Sequence, residues 1–246
     1  MADSDKVQHG NVALLIDADN ASASGLDQTL TILAELGSVN IRRAYGNWSK
    51  PSLKGWIALI HKHAIEPQQE FDLTKGKNAT DMKMTIDAMD LLYTGRVDGF
   101  GIMSSDSDFK PIATRIRQNG LPVYGFGSAR TPEGFRQACT RFIDLDAAKQ
   151  AEDHAAQPTS DEAEAPARGK QAVDEELVKL LGDAWKASKR DDKGYASLAE
   201  LGQRASARSS FDARSYGFSR LSDLVKSLEQ FQTEPRPSGL FVKRVR

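Results

Sequence analysis

Apolar positions come in short continuous runs, separated by stretches in which they recur at helical spacing. Val12 to Ile16 are five consecutive apolar residues ending at Asp17, the pattern of a strand buried on both faces. Leu26, Leu30, Leu33 and Leu36 follow at helical spacing. Ser24 and Asp27 form a candidate capping box for that helix and Gly37 its stop. Residues 39–46 read as a second strand. Leu53 to Ala64 read as a helix despite Gly55, and 69–73 as a weak edge strand. Asp81 to Tyr93 read as a helix with Ile86, Met89 and Tyr93 on one stripe. A strand at 99–103, a helix from Phe109 to Asn119 and a strand at 121–126 come next. Thr131 is then an expected N-cap with Pro132 at N1, and 142–145 a last short strand. This alternation predicts an α/β fold with a doubly wound, mostly parallel sheet.

The pattern changes after residue 146. Residues 147–167 contain no Leu, Ile, Val or aromatic side chain and read as a flexible acidic linker. Beyond it, Val173, Leu177, Leu180, Leu181, Ala184 and Trp185 form one helical stripe. Ser197 and Glu200 suggest a capping box for a second helix, and Leu221, Leu224, Val225 and Leu228 mark a third. The segments around 235–238 read as a hairpin. Three helices and a hairpin predict a small winged-helix domain, a common nucleic-acid module. The same helices can also serve as a protein-docking domain. The expected domains are therefore 1–146, the linker 147–167, and 168–246.

Charge sharpens this division. The whole chain has a formal net charge of −1, which excludes a generally cationic coat. The three regions carry −2, −4 and +5. The basic side chains are thus in excess only in the C-terminal region. No apolar run approaches the roughly 18 residues of a membrane span, and the first residues have no signal-like apolar core. A single cysteine, Cys139, excludes internal disulfides and multi-cysteine zinc sites. A reducing compartment, the cytoplasm, is the expected location, with no membrane partner.

The sharpest chemical signal is a set of acids at strand or helix ends: Asp17, Asp19, Asp81, Asp106 and Asp108. In a doubly wound sheet such positions gather outside the carboxyl ends of the strands. Clustered carboxylates repel one another unless protonated or metal-bound, and oxygen-only ligands suit Mg2+ or Mn2+. Asp17, Asp81, Asp106 and Asp108 are the candidate metal and catalytic residues, with Asp19, Asn20, Ser104 and Ser105 as accessories. Taken singly, each of these acids also fits a turn or helix cap. Candidate RNA contacts are Arg42, Lys77, Lys110 and Arg130 in the first domain. In the second they are Arg214, Arg220, Lys226, Lys243 and Arg244.

VALLIDADN, KNATDMKMTIDAMDLL and DGFGIMSSDSDFKPIATRIRQNGLPVYGFG together resemble the NYN domain of the PIN-like nuclease superfamily, over residues 11–146. That resemblance implies a PIN-like, Rossmann-like sheet and a Mg2+- or Mn2+-dependent endoribonuclease. The family's metal-site acids fall on Asp17, Asp81, Asp106 and Asp108. Residues 171–246, above all FDARSYGFSRLSDLV, resemble the OST-HTH or LOTUS domain, which implies RNA as a partner. A protein partner of the C-terminal domain and self-association stay open. The alternatives are a noncatalytic RNA-binding adaptor and a haloacid-dehalogenase-like phosphatase. The second rests on IDADN, a strand followed by Asp-x-Asp. It departs from that family's pattern in Ala21 and in the order of Lys110 and the acids.

Overall fold

A computed structural model describes residues 10–71, 79–148 and 175–245. The expected RNA contact Lys77 lies outside these residues, as does the expected linker apart from Ala147 and Ala148, which are buried. The chain divides into two compact units, residues 1–139 and 140–246.

The larger sheet has six strands in the order β3-β2-β1-β4-β5-β6. They are β1 (Asn11–Asp17), β2 (Ser38–Gly46), β3 (Glu66–Gln69), β4 (Gly99–Met103), β5 (Val123–Gly127) and β6 (Arg141–Asp144). The pairs β1–β2, β1–β4, β2–β3 and β4–β5 are parallel. Every residue of β1 from Val12 to Asp17 is buried, so both faces of this central strand are covered. The chain runs outward from β1 to β3, returns to β4, and then runs outward the other way. The switch point therefore lies between β1 and β4, at their carboxyl ends.

The intervening helices are α1 (Leu26–Ala34), α2 (Lys54–Lys62), α3 (Ala79–Thr94), α4 (Lys110–Gln118) and α5 (Glu133–Ala138). Leu33 of α1 presses on Gly101 of β4, where an added Cβ would lie 2.9 Å from Leu33 Cδ1. A glycine there is a packing requirement.

Several element ends differ from the expectation. The Ser24–Asp27 capping box does not form. A short 3-10 turn, Ala23–Gly25, leads into α1, and the Ser24 hydroxyl lies 2.9 Å from that of Ser22. The edge strand is Glu66–Gln69, beginning three residues before the expected 69–73, of which residues 72 and 73 lie outside the described residues. Pro132, not Thr131, is the N-cap residue of α5. The stripe of α3 faces outward. Ile86 and Tyr93 are exposed, Met89 is half-buried, and the buried side is Thr80, Met84, Asp87, Ala88, Leu91 and Leu92. A buried aspartate in that set masks the true apolar face.

The smaller sheet, β7-β9-β8, consists of β7 (Ala196–Ser197), β8 (Phe231–Arg236) and β9 (Gly239–Arg244). It packs with α6 (Glu175–Ala187), α7 (Leu198–Arg208) and α8 (Leu221–Lys226) in a winged-helix-like arrangement. Leu177, Leu181, Leu201, Leu224, Phe231 and Val242 are central to its core. Asp212 caps a 3-10 turn, Ala213–Tyr216, by accepting from the Arg214 N–H at 2.9 Å. Gly217 closes the turn at φ 80°, a left-handed conformation that favours glycine. Phe211 and Tyr216 pack with ring centroids 5.9 Å apart. Ser197 sits at the N-cap of α7 without a side-chain cap bond. Glu200 instead accepts from the Lys189 N–H and from Arg204, so this capping box does not form either.

A candidate metal centre at the sheet switch point

Three expected acids converge. Asp81, Asp106 and Asp108 each offer a carboxylate oxygen, and these oxygens lie within 4.8 Å of one another. They come from two places in the fold. Asp81 is in the first turn of α3. Asp106 and Asp108 lie just after β4, where the backbone turns into α4 through the 3-10 turn Ser107–Phe109. Asp106 caps that turn, its Oδ1 accepting from the Asp108 N–H at 2.9 Å. The cap and the cluster therefore share one residue.

Asp17 stands behind this group at the end of β1, fully buried. Its Oδ2 accepts from the Ser104 hydroxyl at 2.7 Å and from Asn20 Nδ2 at 3.0 Å. Ser104 Oγ in turn accepts from the Asp106 N–H at 3.0 Å. Asp17 thus orients the Ser104 hydroxyl, and Ser104 holds the backbone that presents Asp106. Among the accessories, Asn20 and Ser104 do this holding. Ser105 tethers the β4 end to the loop after β5 by accepting from the Ser128 N–H at 3.2 Å. Asp19, beside the group, is held by other partners. Lys50 Nζ lies 3.1 Å from its Oδ1, and Thr80 Oγ1 donates to its Oδ2 at 3.4 Å, tying the β1 loop to the start of α3.

The electrostatics match the geometry. Burial pushes the Asp17 carboxyl above its usual range, against the lowering effect of its bonds to Ser104 and Asn20. The Asp81 carboxyl is raised to about 6. Burial is the largest cause, followed by the charges of Asp17, Asp106, Asp108 and Asp19. A set of hard oxygen donors that repel one another in this way fits a divalent cation such as Mg2+ or Mn2+. Cys139 offers no competing chemistry, since it is buried and its thiol is pushed up to about 12. Burial also leaves the Asp17 carboxylate poorly placed as the exposed nucleophile that the phosphatase alternative needs.

The expected RNA contacts fare differently. Lys110 lines the cavity that also contains Asp81 and Asp108. Arg42 is four residues back from the end of β2, at the level of Leu14, and donates to the carbonyls of Val39 and His63. Arg130 is exposed after β5. Arg220 and Lys226 are exposed at the two ends of α8. Arg214 is largely covered beside Asp212, Lys243 lies over the Tyr195 ring at 5.8 Å, and Arg244 lies across Gly182 of α6.

One arrangement escaped the sequence. Asp87, buried midway along α3, accepts from Tyr45 Oη at 3.0 Å, Lys83 Nζ at 2.9 Å and Arg43 Nη1 at 3.4 Å. It anchors α3 to β2. A single aspartate within a helical apolar pattern gives no sign of partners on a distant strand. The i,i+4 spacing of Lys83 and Asp87 was the one local signal.

The chain belongs to the NYN domain family, whose model matches residues 11–146. An OST-HTH/LOTUS domain follows, matching residues 170–242. The chain is 27% identical over 138 residues to an uncharacterized protein of Methanocaldococcus jannaschii, covering 54% of this chain and 52% of that protein. It therefore spans about half the length of that relative. A crystal structure of a protein of unknown function from Vibrio parahaemolyticus is 19% identical, with a TM-score of 0.48, covering 59% of this chain and 97% of that one. The NYN fold and its clustered aspartates are consistent with the nuclease superfamily, and the OST-HTH domain suggests a capability for RNA binding. Among the described residues, no helix is long and apolar enough to cross a membrane.

Proposed function

We propose that the protein is a Mg2+- or Mn2+-dependent endoribonuclease whose C-terminal domain holds RNA. The observation that carries this reading is the convergence of Asp81, Asp106 and Asp108 within 4.8 Å at the sheet's switch point. These three residues would hold the cation, with Asp17 as a further carboxylate directly behind them. A bound divalent cation supplies charge neutralisation at phosphate oxygens and lowers the pKa of a bound water. The chain's own groups do the rest. Asp17 fixes the Ser104 hydroxyl, and Ser104 fixes the Asp106 backbone. Asp108 is set by the turn that Asp106 caps. Asp81, with its carboxyl raised to about 6, can hold a proton near neutral pH and would release it to a cation bound in its place. The C-terminal domain, net +5 over 168–246, adds affinity by tethering RNA near the acids.

The test is incubation of the purified full chain with diverse RNAs in Mg2+ or Mn2+, against the same reactions in EDTA. Cation-dependent internal cleavage is expected. RNA binding without cleavage in any cation would identify a noncatalytic adaptor instead.

A further inference from the structure

A cavity of about 510 Å³ opens between the starts of α3 and α4, beside the acids. Asp81, Met82, Thr85 and Ile86 line it from α3, and Ser107, Asp108, Lys110 and Pro111 from the turn into α4 and that helix's start. Its size falls within the roughly 300–1,000 Å³ of ordinary ligand pockets. Met82 is 65% exposed and Ile86 53% exposed, so core packing does not account for either. At i and i+4 they share one helix face. Two large apolar side chains thus meet water immediately beside a cluster of carboxylates. Whatever fills the cavity must satisfy both surfaces together.

We infer that this cavity is a nucleobase subsite, which takes an unstacked base of single-stranded RNA next to the scissile phosphate. The inference rests on the endoribonuclease reading, since RNA must lie at the acids for its base to reach Met82 and Ile86. A base presents flat apolar faces to an aliphatic and thioether wall, and the polarizable Met82 sulfur packs well against such a ring. The phosphate attached to it brings the negative charge that a cation at the acids and the Lys110 ammonium attract. An apolar protein side chain in the same place would desolvate carboxylates and compensate nothing. Met82, Ile86 and Pro111 meet a base through its faces, so this apolar wall requires a base without itself specifying which one, while the Thr85 and Ser107 hydroxyls that also line the cavity can meet its polar edge. A base stacked in a duplex cannot enter without being extruded, so unpaired RNA is the substrate class.

The full chain tests this with an RNA whose cleavage position has been mapped. Nucleotides flanking that position are replaced one at a time by an abasic ribose, and each RNA is given to wild type and to M82A/I86A. Both side chains are exposed and Ala favours helix, so the fold should persist, as thermal unfolding will verify. Wild type should lose about tenfold in kcat/KM at one abasic position, within the range of a single base contact. The variant should show about that loss on unmodified RNA and little further loss at that position, because the two changes remove one interaction. Additive losses, or a variant indistinguishable from wild type, overturn the subsite while leaving the nuclease reading intact. A second arm needs no cleavage. RNA containing photoreactive 4-thiouridine, bound in EDTA, should cross-link to residues 82–86. Cross-linking there by a protein that cleaves no RNA keeps the subsite and ends the hydrolytic reading. Cross-links only elsewhere, or a change of oligomeric state in M82A/I86A by sedimentation, overturn it, the latter by giving the wall to a second copy.

Discussion

Asp81 and Asp87 lie on the same helix and meet opposite surroundings. Asp87 is enclosed by two cations and a tyrosine hydroxyl. Asp81 faces Asp106 and Asp108, with Asp17 behind them. The first arrangement lowers the energy of the folded protein. The second raises it until a cation or a proton arrives. A repulsive cluster at one end of a helix, beside a neutralised buried charge in its middle, could coordinate a divalent cation. The C-terminal unit follows the Asp87 rule. Arg236 is paired with Glu234 and Asp191, Arg204 with Glu200, and Arg214 with Asp212. These arginines are engaged within the unit, so the net +5 over 168–246 must come from other basic side chains.

Substitutions that separate the two kinds of aspartate sharpen this comparison. The largest effect is expected from Asp106→Asn. Cleavage should fall more than about 100-fold in kcat/KM, beyond the usual cost of losing a supporting group at a metal site, while metal-free stability is kept or rises. Asp87→Ala should do the reverse. It should cost about 2–4 kcal/mol in urea unfolding, because Arg43, Lys83 and Tyr45 lose a shared buried partner. Activity per folded molecule should change far less than in D106N. Equal damage to stability from both substitutions would erase the distinction.

Ser104→Ala should reduce kcat/KM by roughly tenfold, since it frees the Asp106 backbone and leaves a buried Asp17 oxygen one donor short. Thermal unfolding measured beside the kinetics separates this positioning loss from misfolding. The smallest effect is a pH dependence. The folded protein binds the Asp81 proton more tightly than the unfolded chain, with the carboxyl raised from 3.8 to about 6. The advantage of that proton is lost as pH rises through 6. Metal-free Asp81→Asn should then be more stable than wild type at pH 7, with the gap closing toward pH 4. Solvent screens this partly open site, so on the order of 1 kcal/mol is expected, well under the full shift. Added Mn2+ should reverse the order at pH 7.

The doubly wound, mostly parallel sheet was legible in the alternation of apolar runs and helical stretches, and the four acids stood out because each lies shortly after an apolar strand or opens a helix. That placement fixes an address at the strand ends. The fate of each carboxylate was not legible. Asp17 and Asp19 are two residues apart, yet one is buried on Ser104 and the other reaches Lys50, which a loop of unknown course conceals. The exposed face of α3 was hidden for a related reason. Met82 and Ile86 look like core residues, and only the burial of Asp87 on the opposite side turns them outward. The two expected capping boxes failed because 3-10 geometry and a competing arginine took their groups.

The central claim is that the acid cluster exists to hold a cation. Calorimetric titration of Mn2+ into the metal-free full chain, at pH 6 and pH 7.5, tests it most directly, with D106N and the triple variant D81N/D106N/D108N alongside. The account predicts saturable binding by wild type, tighter at pH 7.5 and accompanied by proton release at pH 6. It predicts weakened binding by D106N and none by the triple variant. Equal Mn2+ affinity in wild type and the triple variant would contradict it.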